Sequence, residues 1–239
     1  MHKSAYSFCF VILALFFAQC RGQESTSDGP YTYKTGDIDG IGKWYMGREI
    51  AHVMGYQGIN WLERSEREEE ENTSKLLLDM GISAEDTLAD IGAGSGYHVF
   101  KMAPIASKGL VYAVDIQDEM LSAMRTKKQE TGIRNVELIK GSEKSVNLPE
   151  NSVDKVLMVD VYHEFNFPVA MIASIKKALR PDGEIYLIEY RGEDENIPIK
   201  RLHKMTEKQA VKEMQAAGMQ LKENIANLPW QHCMVFVKK

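Results

Sequence analysis

The chain has 239 residues, 44% hydrophobic and 26% charged, enough for one domain with a substantial core. Its 29 basic and 34 acidic side chains give a formal charge of −5, which speaks against a nucleic-acid-binding protein, whose binding face is normally basic. Its three cysteines, Cys9, Cys20 and Cys233, leave one in the body of the chain, so neither a disulfide framework nor a paired-cysteine metal site is available there.

Residues 1–22 differ from the rest. Lys3 precedes the apolar run "FCFVILALFFA", Phe8 to Ala18, which is short for a membrane span. A basic start, a short apolar block and small or polar residues after it read as a secretory signal. "LFFAQC" resembles a bacterial lipoprotein cleavage site with Cys20 as the lipidated residue, and a cut after Gly22 is the rival. The expected location is the bacterial cell envelope, with a lipid anchor at Cys20 as the only membrane attachment; the alternative is the cytoplasm.

Residues 23–42, rich in Ser, Thr, Gly and Asp, read as a linker. Lys43 to Met54 carries apolar residues at 44, 45, 46, 50, 51, 53 and 54, a spacing that predicts a short helix. On it Tyr45, Arg48, Glu49 and His52 follow the i, i+3, i+4, i+7 rule and would share a polar face. Glu63 to Met80 reads as a second helix whose charged first half, "ERSEREEEEN", is either a solvated face or a charged lid. Residues 43–82 are thus expected to form a helical lid ahead of the main domain, 83–239.

From Thr87 onward, strand-like runs (87–91, 110–116, 136–141, 154–161, 183–190) alternate with helical stretches (Tyr97 to Ile105, Gln117 to Thr131, Phe167 to Leu179). This rhythm predicts an α/β, doubly wound parallel sheet with helices on both faces. "ALRPDGE" reads as a helix stop and turn. Thr206 to Ala217 is expected to be a helix opened by a Thr206–Gln209 capping pair. "MQLKENIANL" and "HCMVFVKK", separated by "PWQ", are too close for a crossover and should pair antiparallel. Cys233, in the latter run, is expected to be buried core.

The first strand ends in "LADIGAGSGYHVF", Leu88 to Phe100. Gly92, Gly94 and Gly96 give G-x-G-x-G, not the dinucleotide spacing G-x-G-x-x-G, and Tyr97 occupies the place of the third glycine. Asp115, 19 residues after Gly96, can bind ribose hydroxyls. In a doubly wound sheet this turn is where ligands sit. Asp90 selects the ligand: a carboxylate at the loop mouth repels a phosphate and suits a cation. S-adenosyl-L-methionine offers a ribose diol, a sulfonium and an ammonium, with no phosphate.

Over about Thr87 to Lys239 the chain resembles the class I S-adenosylmethionine-dependent methyltransferases. "LADIGAGSG" resembles their first motif, "VYAVDI" the second, "GSEKSVNLPENSVDKVLMVDVYHEF" the region after strand three, and "ALRPDGEIYLIEY" the turn and fifth strand. The "LPxxSxD" form is similar to small-molecule methyltransferases, and "GAGSGY" to protein isoaspartyl methyltransferases. The resemblance implies a Rossmann-like, seven-stranded sheet ending in an antiparallel hairpin. It implies that Asp90, Gly92, Gly94 and Gly96 line the methionine end, that Asp115 binds the ribose and Ile116 packs on adenine, that Ser142 and Glu143 lie beside the adenine, and that Asp160 faces methionine or substrate.

For chemistry, "DVYHEF" places Tyr162, His163 and Glu164 after strand four, with His163 the better base because its ordinary pKa is near neutrality. Tyr45 is a further catalytic candidate; Arg48, Glu49, His52 and Glu164 are substrate candidates. No metal-binding spacing appears, neither His-Glu-x-x-His nor paired cysteines, and no metal site is expected. The expected activity is methyl transfer to a small molecule; the alternatives are a non-catalytic S-adenosylmethionine-binding envelope protein and a protein-modifying methyltransferase. The acceptor and the oligomeric state are left open.

Overall fold

The computed structural model describes residues 26–239; the segment expected to be a leader, with Cys9, Cys20 and both expected cleavage points, lies outside the described residues. The described chain opens not with a linker and a helix but with a four-stranded antiparallel meander: β1 (Thr26–Asp28), β2 (Tyr31–Tyr33), β3 (Gly40–Tyr45) and β4 (Arg48–Ala51). Here the helix expected over 43–54 is corrected. Met46 and Gly47 have φ of 49° and 97°, and Tyr45 pairs directly with Arg48. A two-residue turn with both central residues at positive φ matches the strand twist and sets a hairpin. β2 supplies the backbone partners, with Tyr31, Thr32 and Tyr33 opposite Tyr45, Trp44 and Lys43. The helical spacing of apolar residues was coincidental with the aromatic side chains of two strands, and the sheet overrode it.

Residues 59–79 form three short helices, α1 (Ile59–Leu62), α2 (Arg67–Glu71) and α3 (Thr73–Asp79). The continuous helix expected over 63–80 breaks at Asn72, whose φ of 53° is left-handed. Its backbone N–H closes α2 on Glu68 while its side chain caps α3 by accepting from Lys75 N. Asparagine tolerates this conformation better than most residues.

The main sheet has seven strands in the order β10-β11-β9-β8-β5-β6-β7. β5 (Thr87–Ile91), β6 (Leu110–Asp115), β7 (Val136–Lys140), β8 (Val153–Val159) and β9 (Leu179–Tyr190) run parallel. β10 (Met219–Asn224) and β11 (Gln231–Lys238) close the sheet antiparallel, as the short connection between them requires. The intervening helices are α4 (Val99–Met102), α5 (Asp118–Thr131), α6 (Pro168–Ala178) and α7 (Glu207–Ala216). Thr206 caps α7 by accepting from Gln209 N at 3.2 Å. The turn expected at 180–183 is accommodated as a register jump: Val153 faces Leu179, and Lys155 faces Glu184.

Both faces of the sheet are covered. Leu77, Val99, Met102 and Met124 pack with Leu88, Val111 and Leu157 on one side; Ile172, Ile175 and Met214 pack with Ala89, Val156 and Phe236 on the other. Such double cover is why these strands read as unbroken apolar runs. Cys233 is a free, buried thiol. β5 pairs with β6 on one side and β8 on the other, so the strand order reverses beside β5. The glycine loop leaves the sheet at that point, where an open α/β sheet forms its ligand crevice.

Candidate functional site

The loop after β5 is built to bring bare backbone up to a ligand. Gly92, Gly94 and Gly96 have φ of 74°, 56° and 78°, a region that costs other residues about 1–2 kcal/mol. A Cβ on Gly94 would lie 2.7 Å from Leu62 Cδ1, and one on Gly92 2.4 Å from Val161 Cγ2. Gly92 N and Ala93 N both donate to Val114 O, tying the loop to the neighbouring strand. Gly94 N donates to Asp115 Oδ2 and Gln117 N to Asp115 Oδ1, each at 2.8 Å. Asp115 is therefore fixed in place with acceptor capacity left on each oxygen. Burial pushes its carboxyl up, against the opposing pull of these two backbone N–H groups.

A cavity of about 620 Å³ opens over this loop, within the usual size range of small-molecule sites. Gly92, Gly94, Asp115, Ile116, Ser142, Glu143 and Asp160 all line it, as expected. Glu143 accepts from Asn166 Nδ2 at 2.9 Å. Gly96 stands behind the wall, where a Cβ would strike Phe100 and Met124; its role is close packing under the loop.

Asp90 also lies behind the wall. It is 2% exposed, and its Oδ2 has no hydrogen-bond partner among the described residues. Burial pushes its carboxyl up to about 7, with Arg67 pulling down and Asp115 pushing up. Asp160, just past β8, reaches the cavity itself. Its φ is 49°, a strained conformation of the kind found at functional positions. Gln231 Nε2 holds its Oδ2 at 2.6 Å, while Oδ1 is buried without a partner among the described residues. Burial, then Glu71 and Glu189, hold its carboxyl well above the ordinary range. Two under-satisfied buried carboxyls beside a glycine cradle suit a cationic ligand and oppose a phosphate. With Asp115 placed for a diol, the residues fit S-adenosylmethionine.

The charged stretch 63–71 forms part of the roof. Arg64, Arg67 and Glu71 line the cavity, and Arg67 and Glu71 are buried. Glu71 accepts from Arg67 Nε at 2.7 Å, Arg64 Nη2 at 2.6 Å and the Tyr190 hydroxyl at 2.8 Å. Trp61 stacks under the Arg64 guanidinium, 3.8 Å from its ring centroid. Gln117 clamps the roof to the sheet, donating to Met54 O and accepting from Tyr56 N.

At the far end stand His52, His163, Glu164 and His203. His163 is 1% exposed. Its Nδ1 meets Glu189 Oε2 at 2.6 Å, and its Nε2 lies 3.0 Å from His203 Nδ1. Burial pulls the His163 imidazole down, but the Glu189 carboxylate outweighs it and holds the pKa above the ordinary value. Glu164 Oε1 accepts from Met54 N at 3.1 Å.

Four candidates fall elsewhere. Arg48 does not meet the cavity; its Nε and Nη2 donate to Glu213 at 2.9 and 3.0 Å and its Nη1 to His163 O at 2.9 Å. Glu49 is buried, accepting from Asp37 N and Gly42 N within the meander. Tyr45 packs with Tyr31 and Ile50 in a separate small core. The Tyr162 hydroxyl donates to Glu213 Oε2 at 3.0 Å, away from the cavity, and burial holds its phenol well above the ordinary value. For three of them the reason is the hairpin: β3 carries Tyr45 and β4 carries Arg48 and Glu49 away from the cavity, and of the four supposed helix-face residues only His52, just beyond β4, reaches the site. Sequence reasoning also missed Glu189, Tyr190 and His203, whose only signal was a polar residue at a strand end or in an irregular loop.

Comparisons with known proteins agree with this geometry. A family described as "Methyltransferase domain" matches residues 82–232. The uncharacterized methyltransferase YdaC of Bacillus subtilis is 28% identical over 144 residues, 60% of this chain and 77% of that protein. YcgJ of the same organism, also named an uncharacterized methyltransferase, is 27% identical over 127 residues, 53% of this chain and 49% of that one, so the chain spans about half its length. In solved structures, a SAM-dependent methyltransferase from Aquifex aeolicus aligns with a TM-score of 0.73 at 24% identity, covering 77% of this chain and 98% of that one.

Proposed function

This chain belongs to the methyltransferase-domain family, with S-adenosylmethionine as its cofactor, and from that premise we propose that its methyl acceptor is a small organic molecule bound at the histidine end of the cavity. The observation that supports this most is that one continuous, partly open cavity is lined by Asp115 as well as by His163 and His203. Its size admits a nucleoside and a small acceptor together but leaves little room for a folded partner.

Bound S-adenosylmethionine supplies a methyl group on a positively charged sulfur that departs as a neutral thioether. The chain's part is to position and desolvate. Asp115 takes the diol, Ile116 packs on the adenine, and Ser142 and Glu143 flank it. Asp160, with Asp90 nearby, offers buried carboxyls that a bound ammonium or sulfonium would draw into the charged form. Arg64 and Arg67 also line the cavity, held there by their pairs with Glu70 and Glu71. Trp61, Leu62 and Met54 roof the space and exclude water. Elsewhere in the cavity Glu189 fixes the His163 ring at Nδ1, so that Nε2 meets His203 Nδ1. Holding donor and acceptor in line within such a space is the main source of acceleration for a displacement at carbon.

The test is transfer of labelled methyl from S-adenosylmethionine, by the full chain, into fractionated cell extract, with calorimetry of cofactor binding alongside. Label in the small-molecule fraction is the expected result. Label in the protein fraction overturns it in favour of a protein-modifying enzyme, and cofactor binding without transfer makes the chain a binding protein. Asp115→Ala should weaken cofactor binding by about 1–3 kcal/mol, the worth of hydrogen bonds to a charged group.

A further inference from the structure

His163 Nε2, His203 Nδ1 and Glu164 Oε1 converge on one point of the cavity wall. Their separations are 3.0 Å between the two nitrogens, 3.8 Å from His163 to Glu164 and 3.5 Å from His203 to Glu164. Two imidazoles and a carboxylate are a common donor set for a transition-metal ion. A tetrahedral zinc ion with ligands at about 2.0–2.2 Å has donor-to-donor edges of about 3.3 Å, in the middle of these three distances.

The surroundings complete the pattern. Glu189, wholly buried, accepts from His163 Nδ1 at 2.6 Å and from His163 backbone N at 3.2 Å. With Nδ1 turned to that carboxylate, Nε2 is the ring atom directed at His203. A carboxylate behind a ligating histidine is the usual outer support of a metal site: it orients the ring and raises its basicity. The ligands come from two separate turns, Tyr162–Glu164 after β8 and Arg201–His203 before α7. The ligands differ in exposure: the His163 side chain is 2% exposed and that of His203 23%, so an ion has a route in from the His203 side. Three protein ligands leave a further position open, and all three line the cavity.

We propose that His163, Glu164 and His203 form a three-ligand site for a divalent transition-metal ion of the zinc class, with its open position turned toward the methyl acceptor. The ion site stands on the donor geometry alone; only the link to the acceptor rests on the function proposed above. An acceptor that binds there carries an oxygen or sulfur able to ligate, such as a hydroxyl, phenol or thiol. The absence of any linear metal motif is no obstacle, because the ligands lie 40 residues apart, at 163 and 203.

The experiment uses the full chain, stripped with a chelator and titrated with Zn²⁺ by calorimetry and with Co²⁺ by visible absorption. S-adenosylhomocysteine binding is measured on the same samples. One Zn²⁺ per chain and tetrahedral cobalt bands are expected. His203→Ala should lose about 100-fold or more in zinc affinity while still binding S-adenosylhomocysteine, since this partly exposed side chain makes no contact with Asp115 or the glycine loop. Glu189→Gln should lose about 10- to 100-fold. A wild-type chain that takes up no stoichiometric zinc, or a His203→Ala variant that binds it unchanged, overturns the proposal. Zinc uptake without S-adenosylhomocysteine binding upholds the metal site and rejects the cofactor geometry, so the two readings fail separately.

Discussion

Glu213→Gln should unfold this protein far more easily than its conservative chemistry suggests. Glu213 is fully buried on α7. Its two oxygens receive Arg48 Nε at 2.9 Å, Arg48 Nη2 at 3.0 Å, the Tyr162 hydroxyl at 3.0 Å and Gln209 Nε2 at 2.8 Å. Glutamine keeps the shape but turns an NH₂ toward donors and leaves the Arg48 guanidinium, 9% exposed, without its counter-charge. Breaking a buried pair from one side costs about 3–5 kcal/mol. For a chain of this length that lowers the melting temperature by about 6–20 °C. The same partners also stitch β4 to α7 and to the carbonyl of His163, so the loss should be felt as one cooperative transition. Urea unfolding followed by tryptophan fluorescence reads it directly. The double variant Arg48→Met with Glu213→Leu removes both charges and should recover most of the loss, short of about 1 kcal/mol for the Tyr162 hydroxyl left without its acceptor. A Glu213→Gln variant within about 1 kcal/mol of wild type would refute the reasoning; so would a double variant as unstable as the single one.

Asp90 supplies a pH dependence. Its carboxyl, raised to about 7 chiefly by burial and less by Asp115, with Arg67 opposing, binds its proton more tightly folded than unfolded. Between about pH 4 and 7 the folded state holds the extra proton, so stability falls as pH rises through that window, by up to about 4 kcal/mol. Asp90→Asn should flatten this part of the profile, and an unchanged slope in urea midpoints would sink the assignment. Gly94→Ala places a Cβ at φ of 56° and 2.7 Å from Leu62 Cδ1. It should cost about 1–2 kcal/mol in stability and weaken S-adenosylhomocysteine binding by pushing the roof aside; a variant equal to wild type in both melting and calorimetry contradicts it.

What could be read from the residues follows the range of the forces that fix them. β5, its glycine loop and β6 are local, and the alternation of apolar runs with helical stretches carried the parallel, doubly wound character of the sheet. The cofactor residues came with them because Gly92, Gly94 and Asp115 lie within one strand–helix–strand unit. The meander was missed because its hairpin hangs on Met46–Gly47, an uncommon pair for such a turn, while the aromatic spacing imitates a helix. Arg67 and Glu71 look like solvent-facing charges until Tyr190, more than a hundred residues away, is placed against them. Tyr162 and His163 are neighbours in sequence, yet a single tight turn sends one to Glu213 and the other to Glu189. Nothing in an isolated sequence announces that parting.

Glu189 and Tyr190 are consecutive on β9, and the pleat sends one to brace the histidine end and the other to brace the arginine-rich roof. The strand is locked on both flanks, with Ile188 opposite Val159 and Tyr190 opposite Gln231, the residue that also holds Asp160. The spacing between these two braces of one cavity is thus a property of main-chain register, as fixed as a ruler's graduation. Changes in the loops at either rim would leave that spacing as it is, because the pairs that set it lie inside the sheet.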